Sequence, residues 1–89
     1  MDKIWLKSYP AGIPHEIDPR AYPSVAAMVD RAVARYRDRP AFSSLGATLS
    51  YGDVDRASRD FAAYLQQRCG LAKGDRVAIM MPNVLQYPV

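Results

Sequence analysis

Thiol and imidazole are scarce in this sequence, which has one cysteine, Cys69, and one histidine, His15. A lone cysteine closes no internal disulfide, and no Cys/His cluster has metal-ligand spacing, so neither a disulfide scaffold nor a zinc module is expected. A reducing compartment fits that usage. Long apolar runs are missing too: the longest, Val77 to Met81, is far short of the ~20 residues a membrane span needs. Met1-Asp2-Lys3 opens the chain without the apolar stretch or cleavage site of a secretory signal, so a soluble, cytoplasmic polypeptide is expected. Glycines are few and scattered, whereas a phosphate cradle needs several close together between a strand and a helix N-terminus. Gly46 reads as a turn residue, Gly52 as part of a first helical turn, Gly70 as a helix cap and Gly74 as the residue before a strand. No repeat or low-complexity tract is visible.

What is present is ordinary globular material. Hydrophobic residues make up 49% of the 89 positions and charged residues 24%, enough for one small domain without a sizeable cleft. Pro10, Pro14, Pro19 and Pro23 crowd the first quarter, so residues 1–23 are expected to form an extended arm pinned by Trp5, Tyr9 and Tyr22. The net charge of +3 and pI of 9.2 raise the question of nucleic acid. Arg31, Arg35, Arg37 and Arg39 alternate with Asp30 and Asp38, however, which reads as a solvated helix face, and no nucleic-acid partner is expected.

From Ser24 onward the pattern becomes periodic. Val25, Met28, Val29, Ala32, Val33 and Tyr36 recur at helical spacing, with Ser24 as N-cap and Pro40 as the stop. Ala41–Leu45 and Thr48–Tyr51 flank Gly46-Ala47, a link suited to a hairpin with a type II′ turn. Ser50-Tyr51-Gly52-Asp53 has the spacing of a capping box, followed by a second helix whose apolar face carries Val54, Ala57, Ser58, Phe61, Ala62, Leu65 and Cys69. Gly70 is placed for a left-handed cap closed by Leu71. Arg76–Met81 lacks alternation and reads as a strand buried on both faces of a parallel sheet, after which Val84–Val89 leads towards another helix. A strand of that kind needs neighbours that these 89 residues do not offer, so the chain is expected to be incomplete.

None of the polar residues forms a catalytic constellation. His15 is expected to be solvated and Cys69 to be a small core residue. Asp53, Asp55, Asp60, Arg56 and Arg59 have the spacing of ion pairs on the polar side of the second helix, and Met80 and Met81 fill core space. Trp5 between Lys3 and Lys7 leaves two readings open, packing onto protein or contact with a membrane surface.

Several strings resemble the acyl-adenylate-forming superfamily of acyl-CoA synthetases, luciferases and peptide-synthetase adenylation domains. Leu49-Ser50-Tyr51-Gly52-Asp53-Val54 is similar to its first core motif, Leu-Thr-Tyr-x-Glu-Leu. Gly70-Leu71-Ala72-Lys73-Gly74-Asp75-Arg76-Val77-Ala78 resembles its Gly-Leu-x-x-Gly-Asp-Arg-Val-Ala strand, and Pro82-Asn83 its exit. The opening Ile4–Pro14 and the closing Leu85–Val89 resemble bacterial long-chain fatty acid–CoA ligases, and the resemblance covers essentially the whole chain.

It implies an α/β fragment of the large domain: an extended Pro-rich arm over 1–23 and a partial N-terminal subdomain over 24–89, with helix, short hairpin, helix and buried strand. It also implies ATP, Mg and CoA as cofactors of the full-length enzyme, a long-chain fatty acid as substrate and the rest of the ligase chain as partner. Peripheral association with the inner membrane stays open. No catalytic, cofactor-binding or metal residue carries over onto any position, since the family's phosphate loop, adenine and ribose contacts and catalytic lysine would all lie beyond Val89. The fragment is therefore expected to bind no cofactor and to be inactive by itself. The competing reading, of a different class, is a small interaction module docking to a protein or a membrane surface.

Overall fold

The computed structural model describes residues 1–89. Helix α1 spans Val25–Tyr36, strands β1 and β2 span Pro40–Ser44 and Ala47–Ser50, and helix α2 spans Tyr51–Gln67. The Ser24 hydroxyl accepts the Ala27 N–H at 3.0 Å and so caps α1, as its position before the periodic run predicts. Pro40 opens β1 at the strand's first position, where its missing N–H is tolerated, and the register slips by one residue between Pro40 and Phe42.

The strands form an antiparallel hairpin that pairs Ser44 with Ala47, Ser43 with Thr48 and Phe42 with Leu49. Its turn lies one residue earlier than the sequence suggests. Leu45 has φ 50° and Gly46 φ 81°, so the link is Leu45-Gly46 with two left-handed residues, the type I′ pattern rather than type II′. This register places the Ser43 and Thr48 hydroxyls 2.8 Å apart across the strands and sets Phe42 opposite Leu49.

Helix α2 begins without a connecting loop. The Ser50 hydroxyl accepts from Asp53 N at 3.1 Å while the Asp53 carboxylate accepts from Ser50 N at 3.0 Å, which completes the capping box. Gly52 donates to the Arg37 carbonyl at 2.9 Å, joining the first turn of α2 to the end of α1. At the other end Gly70 takes the left-handed conformation, φ 66°, and Leu71 N–H donates to the Leu65 carbonyl at 3.1 Å.

The arm is mostly irregular, as its prolines require, except for one short 3-10 helix at Ile4–Ser8 that no periodicity announces. Ala72–Asp75 turns tightly, with the Asp75 carboxylate accepting from Ala72 N at 2.8 Å. The predicted strand does not form: Arg76–Met81 pairs with nothing, and the sheet has only two strands. The physical reason is the one the sequence supplies, because a strand of this kind needs a neighbour on either side. Val84–Pro88 makes only a turn, with Tyr87 N–H donating to the Val84 carbonyl, and Pro88 ends it.

Packing is thin. Val33 of α1, Gly52 and Val54 of α2 are the only buried residues, and α2 touches α1 and both strands around them. The accessible surface is 8177 Å², whereas a folded monomer of this mass exposes roughly 5,200 Å². The radius of gyration is 17.4 Å, against about 12 Å for a compact domain of this length.

Candidate functional site

The densest polar cluster lies where α1 meets α2. Asp55, with its side chain 13% exposed, receives Arg59 Nε at 2.8 Å on one oxygen and Arg37 Nη1 at 3.4 Å on the other. Arg59 also reaches Asp30 of α1 at 3.9 Å, so the chain Arg37–Asp55–Arg59–Asp30 ties the helices together. Each carboxylate oxygen of Asp55 accepts from one guanidinium donor, so the group is committed to the ion-pair network. The ion pairs expected of Asp53 with Arg56 and of Asp55 with Arg59 form, Asp60 takes part in none, and the pairs bridge two helices as well as running along one.

Asp53 is equally committed. Its carboxyl is held below the ordinary carboxylate range, first by the backbone N–H of Ser50, then by the Ser50 hydroxyl, against some desolvation and with help from the charge of Arg56. The same arrangement settles the phosphate question at this helix start. Tyr51 N–H donates to the Arg39 carbonyl, Gly52 N–H to the Arg37 carbonyl and Asp53 N–H to Ser50, so the donors that would hold an anion are spent. The Asp53 carboxylate adds like charge at the same place.

A Cβ at Gly46, Gly70 or Gly74 would meet nothing within 4 Å, and all three glycines hold positive φ, which by itself accounts for glycine there. No group of three His, Cys, Asp or Glu side chains could hold a metal ion.

His15 is exposed and meets only the edge of the Tyr9 ring, centroid to centroid 5.9 Å. Glu16, its one charged neighbour, pairs instead with Lys3 at 3.0 Å. Cys69 is exposed, not a core residue: α2 ends at Gln67, and nothing covers the face on which Cys69 was expected to pack. Trp5 is half-exposed in the 3-10 helix.

The arginines of α1 are not merely solvated. Arg31 stacks on Tyr22 at 5.0 Å and donates to the Ala21 carbonyl, while Arg35 and Arg39 flank the Tyr36 ring at 5.2 and 5.5 Å. The hairpin and the C-terminal turn enclose an open cavity of about 230 Å³ lined by Phe42, Ser44, Asn83, Val84 and Tyr87, among others. Its lining holds no carboxylate, imidazole or cation, and Tyr87 is its one titratable side chain.

A family profile described as AMP-binding enzyme matches residues 29–89, more than half of the chain. The chain belongs to the AMP-binding enzyme family. The two superfamily strings, Leu49–Val54 and Gly70–Asn83, lie inside the matched span, the first at the β2–α2 junction and the second from the cap of α2 onward, whereas Ile4–Pro14 precedes it. Among curated members, a long-chain-fatty-acid–CoA ligase of Yersinia pestis is 55% identical over 89 residues, all of this chain and 16% of that protein. One from Haemophilus influenzae is 47% identical over the same 89 residues, again 16% of its length. The Bacillus subtilis ligase is 40% identical over 84 residues, 94% of this chain and 15% of that protein. The chain thus spans about one sixth of the AMP-binding relatives it matches. No solved structure matches it.

Proposed function

We propose that this chain is a scaffold segment of a long-chain fatty acid–CoA ligase of the AMP-forming kind. The observation that carries the reading is the identity of 55% running through every residue of the chain to a protein of that name. In the proposed reaction ATP activates the fatty-acid carboxylate as an acyl-adenylate with release of pyrophosphate, and the thiol of CoA then displaces AMP. Mg, ATP and CoA are assigned to residues outside these 89, because the donors at the start of α2 are spent and no acid–base set exists. The part played by this chain is structural. Its helices brace one another through Asp55 and Val54, the arm over 1–23 packs outward, and residues 24–89 contribute part of the large domain.

No helix is long and apolar enough to cross a membrane, and the ligase is proposed to act in the cytoplasm. The test is to capture the native polypeptide with an antibody against this sequence and assay it for AMP formation. Formation that requires fatty acid, ATP and CoA together supports the reading; AMP formation indifferent to fatty acid refutes it. The stand-alone interaction module is not favoured by any observation of the site.

A further inference from the structure

We draw no further inference here: the strongest candidate, the open cleft between the arm and α1 lined by Tyr22, Met28, Arg31, Ala32, Arg35 and Tyr36, has its guanidinium groups already engaged with the two tyrosine rings and the Ala21 carbonyl, and nothing in the structure shows what covers it.

Discussion

Gly52→Ala sets two rules of helix chemistry against each other. In an exposed helix the substitution would stabilise by about 1 kcal/mol, through alanine's better propensity. Here a Cβ at position 52 would lie 3.1 Å from Arg37 Cγ and 3.2 Å from the Arg37 carbonyl oxygen. The side-chain carbon can move; the carbonyl cannot without lengthening its 2.9 Å hydrogen bond from Gly52 itself. Overpacking of this order costs about 1–3 kcal/mol, and weakening the hydrogen bond removes part of a net contribution of about 1 kcal/mol. The balance is a destabilisation of about 1 kcal/mol, or roughly fivefold in the opening equilibrium of the α1–α2 junction. Amide exchange of residues 52–55 measures it directly and should accelerate by about that factor. Exchange that slows would mean that propensity wins and that the tight approach to Arg37 does not hold the junction.

Further consequences follow from the same geometry. Ser50→Ala removes the hydroxyl that caps Asp53 N–H and should weaken α2 by about 1 kcal/mol, with Ser50→Asn restoring most of it; helicity by circular dichroism is the readout. Leu45 holds a left-handed conformation while 99% exposed, so Leu45→Asn should stabilise the hairpin by several tenths to about 1 kcal/mol, seen as slower exchange across β1 and β2. Because Asp53 is held below its ordinary value of 3.8 in the folded chain, the unfolded chain binds its proton first on acidification. Its contribution is then complete above pH 3.8 and lost as pH falls through the lower folded value, so the α2 helix signal should drop in that window. Asp53→Asn should flatten that part of the profile.

Features set by a few adjacent residues were legible in the sequence. Ser50 and Asp53 specify a capping box at a spacing of three, Gly70 is the only residue near the end of α2 that takes φ above zero without strain, and Ser24 stands just before a 3.6-residue period. The hairpin was legible too, but not its turn: the register pairs Ser44 with Ala47 and brings the Ser43 and Thr48 hydroxyls together, which puts Leu45-Gly46 in the link. Features that depend on what lies across a surface were not legible. Cys69 and Ile79 have core chemistry in the sequence and solvent around them in the structure, because helix and strand periodicity announce a buried face without announcing its partner. The stacking of Arg31 on Tyr22 was likewise invisible, since it joins the arm to α1 across a proline. The family was legible only through two strings, Leu49–Val54 at the β2–α2 junction and Gly70–Asn83 beyond α2.

The central claim is that this chain is interchangeable scaffold of a fatty acid–CoA ligase. The most direct measurement is acyl-CoA formation by a chimera in which it replaces the matched sixth of the Yersinia pestis enzyme. The account predicts a rate that depends on long-chain fatty acid, ATP and CoA and stays close to that of the parent. A chimera that folds like the parent yet forms no acyl-CoA would contradict it.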